Sequence, residues 1–185
     1  AELLRRANVE FSTESPRIDE EAVKQGLEAG DAHPRDIADA LAEAKARKVA
    51  GRHPDALVLG CDQILTLGRT VISKPPSKEE AISQLEQLRG QTHQLLSAAV
   101  LYENDAPVWR HVGQVRLTMR DASDAYIQGY VERNWNSIKH SVGSYKLEEE
   151  GVRLFSRIDG DHFNVLGMPL LELLSYLTLR GNLQA

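Results

Sequence analysis

Cysteine is almost missing from this chain: Cys61 stands alone among 185 residues. A single thiol excludes an intramolecular disulfide and any thiolate metal cage, and it fits a reducing cytoplasm. Long apolar runs are missing too. No stretch approaches the ~20 residues that span a bilayer, and no secretory signal opens the chain, so a cytoplasmic protein without a membrane partner is expected. A surplus of positive charge is the third absence. Lys plus Arg number 22 against 27 Asp plus Glu, a net charge of −5, which leaves no electrostatic footprint for nucleic acid. A polyanionic ligand would have to be held by a few placed cations, helped by a metal.

Several catalytic signatures are absent as well. There is no Gly-rich phosphate loop of the Walker type, no dinucleotide fingerprint, and no His-x-x-x-His, Cys-x-x-Cys or Gly-x-Ser-x-Gly. The six histidines are scattered singly. What remains is a set of carboxylates (Asp19, Glu20, Asp62) and lysines (Lys45, Lys74) in the first half of the chain. Hard carboxylate oxygens suit Mg²⁺, which keeps several waters and bridges to substrate phosphates. Lysine is a point-charge partner for phosphate. The set therefore suits metal-assisted phosphoanhydride hydrolysis better than acyl transfer, which wants a Ser or Cys nucleophile with its base.

The most informative stretch is Leu57-Val-Leu-Gly-Cys-Asp-Gln-Ile-Leu65, followed by Lys74-Pro75. An apolar run of strand length delivers Asp62 to its end, between two aliphatic blocks. An ionised carboxylate in such a place needs a partner or a metal; the alternative is an Asp that satisfies backbone donors in a strand-end turn. Lys45 lies one turn after Leu41 on a helix with period Ile37, Ala38, Leu41 and Ala44 that runs to about His53. Its stem shares the apolar stripe, which also reads as a lysine snorkelling from that stripe.

Elsewhere Ala1–Val9 reads as a helix already under way, with residues expected before it. Ser12–Arg17 is a loop leading into Ile18-Asp19-Glu20-Glu21. Ala56–Cys61 is a buried strand, and Ile64–Ile72 reads as two short strands around Gly68-Arg69. Ser77-Lys-Glu-Glu80 is a capping box for a helix to Arg89, with Gly90 as its stop. Thr92–Tyr102 and Val108–Met119 are strands joined in a hairpin at Asn104-Asp105. Ala122–Trp135 is helical, Val152–Ile158 is a strand, and Pro169 opens a last helix closed by Gly181. Helices and strands alternate while hairpins exclude a purely parallel arrangement, so the class is α/β with a mixed sheet. The length suits one domain or two closely joined lobes.

In order along the chain, Ile18-Asp19-Glu20, Leu41-Ala-Glu-Ala-Lys45-Ala46, Gly60-Cys-Asp62, Lys74-Pro75, Leu88-Arg-Gly90 through His93, Val142-Gly143-Ser144-Tyr145 and Asn164-Val-Leu-Gly-Met-Pro169 resemble the motifs of the Maf family of nucleoside triphosphate pyrophosphatases. The resemblance implies a single Maf-like domain over residues 1–185, with an elongated mixed sheet between two lobes, similar to inosine-triphosphatase-like folds. It implies a cleft for a nucleoside triphosphate and a divalent cation, Mg²⁺ or Mn²⁺, and a homodimer. Water would attack the α-phosphorus to give the monophosphate and pyrophosphate. Asp62 would orient or deprotonate that water and bind the metal, with Glu20 as second carboxylate. Lys45 and Lys74 would hold the phosphate chain. The family's Ser-x-Ser-x-Arg-Arg phosphate loop is expected ahead of Ala1; without it, the resemblance would fit a non-catalytic nucleotide-binding protein.

Two branches of the family differ at the base. Asp62-Gln63 together with Lys146-Leu-Glu148 resembles the branch that prefers 7-methyl-GTP more than the dTTP/UTP branch. In that reading Gln63, Glu148 and Tyr145 bind substrate. A carboxylate accepts from the N1–H and N2–H₂ donors of guanine, and Tyr145 would stack on the cationic methylated ring. The alternative for Glu148–Glu150 is a solvated acidic loop.

Overall fold

The computed structural model describes residues 1–184. Among these residues seven α-helices and five strands follow in the order α1 (Glu2–Arg6), α2 (Glu20–Ala29), α3 (Pro34–Ala50), β1 (Val58–Leu67), β2 (Thr70–Ile72), α4 (Lys78–Leu88), β3 (Thr92–Glu103), β4 (Ala106–Met119), α5 (Asp124–Ile138), β5 (Phe155–Asp159), α6 (His162–Val165) and α7 (Leu170–Leu179). The strands form one sheet, in the order β2-β1-β3-β4-β5, flanked by helices. The class is α/β with a mixed sheet, as the element pattern predicts. Among the described residues no helix is long and apolar enough to cross a membrane.

The local chemistry explains most boundaries. Ser77 caps α4 by accepting from the Glu80 amide, and Ser123 caps α5 by accepting from Tyr126. Pro34 sits in the first turn of α3, where its missing N–H costs nothing. Asn104 and Asp105 both take positive φ, 50° and 59°, the pair of left-handed residues that a tight hairpin requires.

Three elements depart from the sequence reading. Asp62 does not end a strand: β1 is one continuous strand of ten residues with Asp62 in its middle, and Gly68-Arg69 alone turns it into β2, in the antiparallel register Leu65↔Ile72. Residues 152–154 are not strand. They belong to a 3₁₀ turn, Glu150–Leu154, which delays β5 to Phe155. A helix, α2, occupies Glu20–Ala29, where only an acidic segment is legible; Asp19 caps it by accepting from the Ala22 amide.

The chain divides into two compact units. The first comprises Ala1–Gln63, Leu96–Gly113 and the segment from Asp161 onward. Its apolar core includes Leu4, Leu101, Met168, Leu170, Leu173 and Leu177. The second comprises Ile64–Leu95 and Gln114–Gly160. There α4 packs on α5, and Leu85, Leu88, Leu117, Ile127 and Leu154 are fully buried.

Candidate active site

The site in the first unit begins with a side chain that is not there. A Cβ on Gly60 would stand 2.2 Å from the Ala42 carbonyl oxygen and 2.6 Å from the Ala46 amide nitrogen. Ala42 and Ala46 are themselves fully buried. Strand β1 thus lies against the backbone of α3, closer than any side chain between them would permit. Lys45 projects from that helix beside the contact, and Asp62 follows two residues after Gly60 on the strand.

The close approach creates an ion cluster. Lys45 Nζ donates to Asp62 Oδ1 at 2.6 Å and lies 2.8 Å from Glu20 Oε1 at the start of α2. The Asp62 side chain is only 9% exposed and that of Lys45 18%, whereas Glu20 is 47% exposed at the rim. Burial pulls the Lys45 ammonium toward neutrality, but the charge and hydrogen bond of Asp62, then those of Glu20, outweigh it and hold the group above its ordinary value. Lys45 is therefore a paired, charged centre rather than a snorkelling surface lysine. The pair is not in itself evidence of stability, since desolvating two charges offsets much of their attraction. Next to it, burial pushes the Cys61 thiol up to about 12, which makes it inert as a nucleophile.

The chemistry of the donors decides which cation they fit. Two hard carboxylate oxygens, from Asp62 and Glu20, already converge on one positive charge, the Lys45 ammonium. Among the described residues no group of three or more His, Cys, Asp or Glu side chains could hold a metal. A Mg²⁺-like ion that keeps waters and shares substrate oxygens needs only one or two carboxylates, and Asp62 with Glu20 fits that demand.

Behind Asp62, Gln63 is tied down. Its Nε2 donates toward Ser97 Oγ (2.9 Å), the Asn164 carbonyl (2.8 Å) and the Val165 carbonyl (3.1 Å). Ser97 Oγ also donates to the Asn164 carbonyl at 2.6 Å. Gly113 leaves the space that the Asn164 side chain fills, since a Cβ there would stand 2.0 Å from Asn164 Oδ1. The amide nitrogen of Gln63, a residue that the resemblance assigns to substrate binding, is thus engaged with the Asn164–Val165 turn. Ser97 was not legible as part of the site, although one signal existed: it is the lone polar residue in the buried run Leu95–Leu101.

The other sequence-predicted residues lie in the second unit. Lys74 is exposed just after β2, followed by the buried Pro75. Glu148 is exposed after the turn Val142–Ser144, whereas its neighbours are engaged. Glu149 accepts from Ser137 Oγ at 2.6 Å. Glu150 accepts from Arg133 at 2.6 Å and from Asn134; those bonds, Arg133's first, bring its carboxyl down to about 2. The acidic run is thus only partly a solvated loop. Tyr145 departs from its expected role. It is 5% exposed, its ring packs edge-on against Phe155 at 4.7 Å between centroids, and its hydroxyl bonds His93 Nε2 at 2.8 Å. A ring enclosed this way offers no open face to a base.

The family match and the high-identity relatives define an enzyme of the hydrolase class on this α/β fold with a mixed sheet. The family model described as "Maf-like protein" matches residues 1–179, and the chain belongs to that family. It is 66% identical over 181 residues to the nucleoside triphosphate pyrophosphatase of Ruegeria pomeroyi, covering 98% of this chain and 91% of that one. It is 62% identical over 183 residues to the nucleoside triphosphate pyrophosphatase of Roseobacter denitrificans, 99% and 92%. The 7-methyl-GTP pyrophosphatase of Brucella abortus is 46% identical over 175 residues, 95% and 88%. That relative with the narrower name is thus less identical to this chain than the two Ruegeria and Roseobacter proteins with the general one.

Proposed function

We propose that this Maf-family enzyme cleaves nucleoside triphosphates to the monophosphate and pyrophosphate, with a preference for a 7-methyl-GTP-like base. The convergence of Asp62 and Glu20 on Lys45 is the observation that carries the reaction type. In this reading Asp62 orients the attacking water and takes its proton. The water oxygen bonds the α-phosphorus, the bond from that phosphorus to the bridging oxygen breaks, and its electron pair leaves with pyrophosphate. Lys45 and Lys74 offset the charge that develops on the phosphate oxygens. Phosphoryl transfer depends mostly on such positioning and electrostatics. A divalent cation, held by Asp62 and Glu20 together with substrate oxygens, would neutralise phosphate charge when bound. The reading includes a homodimer in the cytoplasm.

The base preference rests on Glu148, exposed in an acidic run whose Glu149 and Glu150 are engaged by Ser137, Arg133 and Asn134; its carboxylate suits the donor edge and added positive charge of 7-methylguanine. The names of the 46%-identical relatives agree with it. A panel of 7-methyl-GTP, GTP, dTTP and UTP with Mg²⁺ or Mn²⁺, followed by pyrophosphate release, tests the proposal. Turnover is expected to be highest for 7-methyl-GTP, and Glu148→Gln is expected to lower it about tenfold while leaving UTP within about twofold, a hydrogen bond to a charged group being worth ~1.5 kcal/mol. Equal losses on both nucleotides would end the base-reading role. A higher rate on dTTP and UTP would make this a pyrimidine pyrophosphatase instead.

A further inference from the structure

The second unit contains one side chain that touches both of its predicted substrate-facing segments, and no motif announces it. Gln84 lies on α4 and is 7% exposed. Its Nε2 donates to the Ser73 carbonyl at 3.0 Å, the residue immediately before Lys74. Its Oε1 accepts from Ser144 Oγ at 2.8 Å, at the turn that leads into Tyr145–Glu148. One amide therefore spans the two loops, donating to one and accepting from the other.

Both loops need holding. Gly143 and Ser144 are consecutive residues at positive φ, 73° and 62°. Ser144 is fully buried and, having a Cβ, is strained in that region. A Cβ on Gly143 would stand 2.3 Å from Leu65 Cδ1, so the turn packs closely on the Leu65 side chain of β1. On the other side Lys74 is exposed, and its stem has several freely rotating bonds. Such a lysine is placed only as well as the backbone beneath it.

We infer that Gln84 is a positioning residue for this reaction: its side-chain amide sets the backbone from which Lys74 reaches phosphate and the turn from which Glu148 reaches the base. The inference rests on the function proposed above for Lys74 and Glu148. Replacing the amide by an apolar side chain of similar length leaves the buried Ser144 hydroxyl without this acceptor and removes the side-chain tether from the Ser73 carbonyl.

Gln84→Met is the variant to make, alone and combined with Lys74→Ala, with kcat and KM measured for each. If Gln84 acts through Lys74, Gln84→Met lowers kcat/KM about tenfold when Lys74 is present and less than about twofold when it is not. Gln84→Glu separates the two arms and serves if Gln84→Met folds poorly. It can still accept from Ser144 but places a carboxylate against the Ser73 carbonyl, so it should reproduce the loss on phosphate handling. Amide hydrogen exchange read at residues 73–76 and 142–148 should rise in Gln84→Met in both segments. The same loss in both Lys74 backgrounds, or unchanged exchange in those segments, overturns the inference. If the unaltered protein releases pyrophosphate from no nucleotide, the proposed function fails, and the exchange result still decides whether Gln84 anchors the two loops.

Discussion

Asp62 holds a carboxylate where few can survive unaccompanied, 9% exposed in the middle of a strand, with Lys45 2.6 Å away. Asp62→Asn keeps the size and one acceptor oxygen but removes the charge. Pyrophosphate release is expected to fall by about 10²–10³, the loss typical of one positioned electrostatic group. Stability should fall by only about 1–3 kcal/mol, because the remaining oxygen and Glu20 still receive the lysine. Steady-state rates beside a urea melt check both; turnover within twofold of the unaltered protein would remove Asp62 from the chemistry. At this scale the sequence was legible where a residue's neighbours in the chain betray it. Asp62 sits conspicuously between aliphatic blocks. Gln84 and Ser97 do not, because their partners are 60 and 67 positions away, and hydrogen bonds of that separation leave no local pattern. Tyr145 misled for a related reason: an aromatic in a turn looks available until His93 and Phe155 enclose it.

Among the elements, β1 and α3 carry the site, and their separation is set by Gly60. Gly60→Ala would put a methyl group into the Ala42 carbonyl, 2.2 Å away. The expected cost is about 3 kcal/mol, at the upper end for overpacking because backbone rather than a pliable side chain must yield. Chemical denaturation measures it, and a loss under about 1 kcal/mol would mean the helix moves aside easily. Activity should fall along with stability, since any shift of α3 carries Lys45 away from Asp62. Element identity was well marked where caps and turn residues announce it: Ser77 and Asn104-Asp105 sit where their chemistry places them. The omission of α2 has a physical cause. None of its residues is fully buried, and its apolar stripe has only two large members, the half-buried Val23 and Leu27, too short a series to mark a helical period plainly.

For the molecule as a whole, acid is the condition that discriminates. His93 is fully buried, its Nε2 bonded to Tyr145 and its Nδ1 without a partner, and burial lowers its pKa from 6.5 to about 4. The unfolded chain takes up that proton near pH 6.5. Between those values the unfolded state binds more protons, so stability is complete above pH 6.5 and is lost as pH falls toward 4, by about 3 kcal/mol. Unfolding midpoints across that window should slope downward with acid, and His93→Phe should flatten the slope; an unchanged slope would assign the acid sensitivity to other groups. The path of the chain gives such losses wide reach. It crosses from one unit to the other after Gln63, Leu95, Gly113 and Gly160, and the first three crossings fall inside β1, β3 and β4. Neither unit is a contiguous stretch that could be cloned by itself or released by a single protease cut. Each must be made, folded and lost in company with the other.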